Sequence, residues 1–191
     1  MIEVLIIIVL ALVPLLWFQN SSTVVIGHDT GFSLDPQSWF EERISAWSEN
    51  ENWGRDNSFA LGSIFVHLPE YIFSKIGFDI YTVERLTFIF WSEMLVISMY
   101  ALTRFLSKGL PKYTVFRIST SLLYLFNYYG LQAWFIAERT KFSIMIARPF
   151  VILFLLRAIK QKDVLKNTFF AALSLTMFNG GGSAFTLYAG L

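Results

Sequence analysis

Carboxylate and cationic side chains that flank apolar segments are the groups in this sequence best suited to chemistry. The stretch 20–58 is polar and contains seven carboxylates and two arginines. Within it, Asp29 lies between two glycines and Asp35 stands before Pro36. A carboxylate beside cations at a membrane surface can accept a proton from a hydroxyl while the cations hold a phosphate group. This combination suits a lipid-phosphate sugar donor, and Asp29 and Asp35 are the candidate carboxylates, with Asp35 as the alternative.

A second set of polar residues is predicted to contact that substrate. Its members are His28, Asp56, Glu138, Arg139, Lys141 and Arg148. Arg148 lies about two turns below the surface on its predicted helix. A charge at that depth is costly and usually faces protein or water.

Each of these candidates also has a structural interpretation. Asp29 fits a turn, and Asp35 before a proline fits a helix N-cap. Arg148 and Glu93 could neutralise one another inside a helix bundle. His28 has no second histidine nearby, which argues against a role as a metal ligand. The loop has enough oxygen atoms for a divalent cation, but no ligand spacing marks a site, so no cofactor is assigned.

The composition indicates that these residues belong to a membrane protein. Of the 191 residues, 55% are hydrophobic and 18% are aromatic, whereas a soluble domain has about 45–50% apolar residues. A lipid bilayer is therefore the expected solvent. The net charge of +1 argues against nucleic acid as a partner, and the lack of cysteine excludes a disulfide framework and a thiolate nucleophile.

Apolar segments predict five membrane crossings. The first, 1–19, is an uncleaved anchor, because Glu3 is the only early charge and no small-residue cleavage site follows. The other predicted crossings are 84–106, 118–137, 142–156 and 168–178. Residues 59–78 are long enough to cross, but they contain Pro69 and Glu70 and are predicted to lie along the outer face.

Lysine and arginine residues determine the predicted orientation. The segments 104–117 and 157–166 contain four basic residues each, so both should be cytoplasmic. Between the first crossing and Val83 there are three basic residues against nine acidic ones. We therefore expect the amino terminus inside, and residues 20–83 and the tip 138–141 on the exoplasmic face.

The predicted fold is an all-α polytopic helix bundle in a cell or plasma membrane, with about five transmembrane helices. A single transmembrane domain, 1–191, has its first helix at 1–19, an exoplasmic loop with surface-lying helices at 20–83, and the remaining transmembrane helices at 84–191. The apolar segment that begins at Ala184 predicts that the sequence is the amino-terminal part of a longer protein.

This layout and four short motifs resemble the GT-C superfamily of integral-membrane glycosyltransferases. The motifs are GHDTGFSLDPQSWF, WGRDNS, AERTKFS and NGGGS, and they are similar to the AftD-like alpha-(1→3)-arabinofuranosyltransferase group. The group has a Gly-Asp-Thr element whose aspartate is assigned to catalysis. Its counterpart here is Asp29, although His28 stands between Gly27 and Asp29. The resemblance implies a polyprenyl-phosphate sugar as donor and a cell-envelope glycan as acceptor.

Two other function classes remain open from the sequence. A transporter or lipid flippase would use Glu93 and Arg148 as a polar pair within the membrane. A non-catalytic membrane scaffold would use the acidic loop to dock a partner. Neutralising Asp29 alone should abolish activity only in the enzyme.

Overall fold

The structure is a computed structural model that describes residues 2–12, 15–16, 23–25, 32–48, 54–109, 113–135, 139–161 and 163–178. The regular secondary structure of these residues is helical, apart from one antiparallel pair of two-residue strands, so the expected helical class is confirmed. In chain order the elements are α1 (Ile2–Ala11), α2 (Pro36–Arg43), β1 (Trp47–Ser48), β2 (Arg55–Asp56), α3 (Ser58–Leu61), α4 (Ile64–Ile76), α5 (Ile80–Leu106), α6 (Tyr113–Leu125), α7 (Tyr128–Phe135), α8 (Arg139–Gln161) and α9 (Val164–Met177).

Two of the described helices, α5 and α8, are long and apolar enough to cross a membrane. The 27 residues of α5 correspond to about 40 Å, which exceeds a hydrocarbon core of about 30 Å. Trp91 and Leu95 of α5 and Phe142 and Ile146 of α8 belong to the main buried cluster. This pair of helices therefore forms the centre of the bundle.

The predicted crossing 118–137 is not one helix. α6 ends at Leu125 and α7 begins at Tyr128. The side chain of Asn127 satisfies the backbone on both sides of the break, because its Oδ1 accepts from Gly130 N at 2.9 Å and its Nδ2 donates to Tyr124 O at 2.8 Å. The sequence predicts five crossings. The residues that the structure covers contain two helices of spanning length.

The helix after Asp35 is shorter than its apolar spacing predicts. α2 ends at Arg43, so Phe40 is buried whereas Ile44 and Trp47 are exposed. The spacing of Phe40, Ile44 and Trp47, four and then three positions, predicts one apolar stripe on a helix, and this prediction is wrong. Trp47 instead begins β1 and packs against Gly54, whose φ is +98°. A Cβ at Gly54 would lie 2.3 Å from the Trp47 ring, so this return of the chain requires glycine.

One end of the bundle is organised by the carboxylate of Glu3. Tyr100 Oη donates to it at 2.6 Å, and the Thr114 hydroxyl also donates to it. The Arg117 guanidinium lies 3.5 Å away. The beginning of α1 is thus fixed to the end of α5 and the first turns of α6.

The end of α8 lies at this same end of the bundle. Arg157 and Lys160 approach the ring of Phe105 at 5.8 and 5.4 Å. Because the carboxyl ends of α5 and α8 meet, the two helices run parallel. The described parts of the two lysine- and arginine-rich segments therefore lie at one end of the bundle, and the starts of α5 and α8 lie at the other.

Candidate functional site

The described parts of the acidic stretch lie at that other end. The backbone N–H of Val25 donates to Glu84 Oε1 of α5 at 2.8 Å. Arg43 of α2 donates to Ser63 Oγ, next to α4, at 2.8 Å. These contacts hold the polar stretch against the second turn of α5 and against the N-cap residue of α4.

A buried ion pair between Glu70 of α4 and Arg139 of α8 lies at the centre of this end. Glu70 is 1% exposed and Arg139 is 3% exposed. The other oxygen of the carboxylate lies 3.4 Å from His67 Nδ1. Taking a carboxylate and a guanidinium out of water is costly unless each has the other as partner, so the pair fixes α4 to the start of α8.

His67 is neutral in this cluster. Burial, with the nearby positive charges of Arg139 and Arg43, lowers its pKa to about 3. A carboxylate can only accept a hydrogen bond, so the imidazole must carry its proton on Nδ1 to donate to Glu70. The cluster therefore contains the guanidinium charges of Arg139 and Arg43, the carboxylate of Glu70 and a neutral ring, while the Glu42 carboxylate acts on Arg43 as an opposite charge.

Aromatic rings cover the two guanidinium groups. Arg139 lies over the ring of Phe32 at 5.2 Å, and Arg43 lies over the ring of Trp39 at 4.4 Å. Phe32 is 5% exposed although it belongs to the polar loop. A guanidinium over an aromatic face is attracted by the ring quadrupole. This attraction holds the Phe32 ring against the guanidinium of Arg139.

A cavity of about 360 Å³ lies between α8 and the break that separates α6 from α7. Its lining residues are Tyr124, Asn127, Tyr129, Lys141, Ile144, Met145 and Arg148. Lys141 and Arg148 are seven positions apart, which is two helical turns and places both on the same face of α8. The cavity thus combines two cations with apolar side chains, which suits a phosphate that carries a hydrocarbon chain.

The three predicted cationic residues, Arg139, Lys141 and Arg148, do not all lie in one site. Lys141 and Arg148 line the cavity, whereas Arg139 is buried against Glu70. The predicted exposed tip 138–141 is in part the first turn of α8, which begins at Arg139. The helix geometry explains the separation, because Arg139 and Lys141, two positions apart, do not share a face.

The predicted carboxylates also have different surroundings. Asp35 is the N-cap of α2, where it accepts from Ser38 N at 3.2 Å and from Ser38 Oγ at 2.6 Å. Both hydrogen bonds lower the pKa of Asp35. Asp56 is exposed in β2, opposite Trp47. His28, Asp29 and Glu138 lie outside the described residues.

Sequence reasoning missed Glu70, His67 and Arg43 as a group. One signal was present, because Glu70 stands in an apolar stretch where a carboxylate needs a cationic partner. Nothing in the local sequence identifies that partner as Arg139, 69 positions away.

No group of three or more His, Asp or Glu side chains that could hold a metal ion occurs in the part of the chain that the structure describes. Glu93 and Arg148, both within the described residues, do not form an ion pair with each other. Comparison with known proteins finds no matching family model, no similar curated protein and no similar solved structure.

Proposed function

We propose that this chain is part of a membrane glycosyltransferase of the GT-C type. It would move a sugar from a polyprenyl-phosphate donor to a cell-envelope glycan acceptor at the exoplasmic face. The observation that carries the proposal is the cavity in which Lys141 and Arg148 share one face of α8 and apolar side chains complete the lining. A lipid phosphate needs both of these features, since its head is anionic and its chain is apolar.

The proposed reaction divides the predicted residues by role. The acceptor oxygen bonds to the anomeric carbon of the sugar as the bond from that carbon to the phosphate oxygen breaks. The hydroxyl proton goes to a carboxylate, which we assign to Asp29. Lys141 and Arg148 stabilise the negative charge on the departing lipid phosphate.

Asp29 is preferred to Asp35 because Asp35 has a structural role. Its carboxylate caps α2 through two hydrogen bonds to Ser38, and a base must have a free oxygen aimed at the acceptor hydroxyl. Of the predicted substrate contacts, His28, Asp56 and Glu138 stay as candidates for the sugar or the acceptor. Arg139 is instead assigned to the buried pair.

The membrane arrangement belongs to the same proposal. The amino terminus would be cytoplasmic, residues 20–83 exoplasmic, and α5 and α8 would cross the bilayer within a multi-pass bundle. A divalent cation could accompany the donor phosphate. The placement of Arg148 in a cavity wall, with no described ion pair to Glu93, favours the enzyme over the transporter.

Binding of a short lipid phosphate tests the donor site. The full chain in nanodiscs is titrated with farnesyl phosphate, and with farnesol as the phosphate-free control. Lys141→Gln and Arg148→Gln should each weaken farnesyl phosphate binding about tenfold, because each removes a charge-assisted contact. Farnesol binding should not change.

Lys166→Gln is the matched control. Lys166 is an exposed cation near the start of α9, away from the cavity lining. If Lys166→Gln weakens farnesyl phosphate binding as much as the two cavity variants do, the attraction is a general charge effect and the donor site is wrongly placed.

A further inference from the structure

A continuous series of contacts joins the polar loop to two helices. Phe32 lies over the guanidinium of Arg139, Arg139 pairs with Glu70, and Glu70 accepts from His67. Each of Phe32, Arg139 and Glu70 is at most 5% exposed. The position of Phe32 thus depends on a guanidinium that is itself held by a carboxylate.

The charges around Arg139 show what the Glu70 carboxylate contributes to this arrangement. Arg43 of α2 acts on Arg139 as a like charge, and His67 of α4 brings no charge at neutral pH because its pKa is lowered to about 3. Glu70 pairs directly with the buried guanidinium and offsets its positive charge. Its removal takes away a carboxylate that compensates for burial and for the repulsion by Arg43.

We infer that Glu70 is a positioning residue: by pairing with Arg139 it keeps the guanidinium under the Phe32 ring and fixes where the polar loop returns to the bundle. The consequence for catalysis rests on the proposed function, since Phe32 follows Asp29 by three positions. The consequence for Phe32 does not rest on it.

The rate of thiol labelling next to Phe32 measures whether Phe32 stays packed against Arg139. The chain has no cysteine, so Ser33→Cys provides one reporter at a half-buried position next to Phe32. The full chain in nanodiscs is treated with a charged maleimide. Glu70→Gln should raise the labelling rate at position 33 at least about fivefold, because Arg139 leaves the Phe32 ring.

Glu41→Gln is the matched control. Glu41 is an exposed carboxylate on α2, and its neutralisation should leave the labelling rate unchanged. An equal rise in both variants would overturn the inference, since a general change of loop charge would then explain it.

Phe32→Leu distinguishes positioning from a general loss of stability. It retains an apolar side chain but loses the attraction to the guanidinium, so it should also raise labelling. Because both variants act through one contact, Glu70→Gln should add nothing further in the Phe32→Leu background. Additive effects would overturn the inference, and so would unchanged labelling in Phe32→Leu even if Glu70→Gln fails to fold.

Activity provides a readout that separates the two proposals. In a transfer assay, Glu70→Gln should lower kcat while the KM for the lipid-linked donor stays unchanged, since Lys141 and Arg148 are intact. If labelling responds to Glu70→Gln but Asp29→Asn keeps full transfer activity, the positioning role stands and the assigned base is wrong.

Discussion

Glu70 and Arg139, 69 positions apart in the chain, form an ion pair that is almost completely buried at the start of α8. The pair determines the packing of α4, which lies within the segment 59–78, against the start of α8. α4 has 13 residues, fewer than the 17–25 or so that a crossing needs. Glu70, in the middle of α4, joins this helix to Arg139 at the start of α8.

The first prediction concerns the stability of this pair. Glu70→Ala leaves a buried guanidinium without its carboxylate, and loss of one partner of a buried pair costs about 3–5 kcal/mol. We expect a clear fall in Tm of the detergent-solubilised protein. Arg104→Gln, which removes an exposed cation from α5, is the control. Equal Tm values for Glu70→Ala and the unchanged protein would contradict the assigned pairing.

The second prediction concerns the titration of His67. Its pKa is lowered to about 3 in the folded protein, against an ordinary value of about 6.5. The unfolded chain therefore binds a proton below about pH 6.5 that the folded chain does not bind. It follows that stability should fall as the pH is lowered from about 6.5 towards 3.

Two measurements check this behaviour. The carbon shifts of ¹³C-labelled His67 should stay constant between pH 8 and pH 5, with a His67→Asn sample used for assignment. The fall in Tm between pH 7 and pH 5 should be smaller in His67→Asn than in the unchanged protein. A midpoint near pH 6.5 in the shifts would mean that His67 is not buried beside the two arginines.

The third prediction separates the two candidate bases. Asp29→Asn should lower the transfer rate by about 10²–10⁴, the usual contribution of a general base, and should leave the protein in the membrane. Asp35→Asn should have little effect, because asparagine caps a helix about as well as aspartate. Transfer rates in membranes, normalised to the amount of protein, provide the comparison, with Glu49→Gln as a control in the same loop. The assignment is reversed if Asp35→Asn is the inactive variant.

The fourth prediction concerns the sidedness of the bundle. Leu34 and Lys108 are both exposed and lie at opposite ends of the bundle. In intact cells an impermeant maleimide should label Leu34→Cys, but it should label Lys108→Cys only after the membrane is opened. Labelling of both positions from outside would refute the proposed crossing by α5.

Much of the helical framework could be predicted from hydropathy and helix signals. The segment 84–106 lies within α5, and Asp35-Pro36 begins α2 as its sequence pattern predicts. Both signals are local, because apolar length and N-capping act within one helix. The segment 142–156 was predicted too short, since α8 includes the polar residues Arg139 and Lys141 in its first turn.

The contacts between helices could not be predicted in this way. Hydropathy places 118–137 in one segment, but the amide of Asn127 ends one helix and begins the next. The basic residues Arg139 and Lys141 look equivalent in sequence. One is buried against α4 and the other lines a cavity, and only the packing of the helices separates them.

The interruption at Asn127 has a consequence for how this protein tolerates sequence change. Leucine at that position would raise the hydropathy of this apolar segment. It would also free a carbonyl and an amide of the main chain, which a single uninterrupted rod from Tyr113 to Phe135 could satisfy instead. Such a rod would remove the recess opposite Lys141 and Arg148, so the side-chain amide of Asn127 helps to keep that recess open, together with the missing Cβ of Gly130 beside Leu125 O.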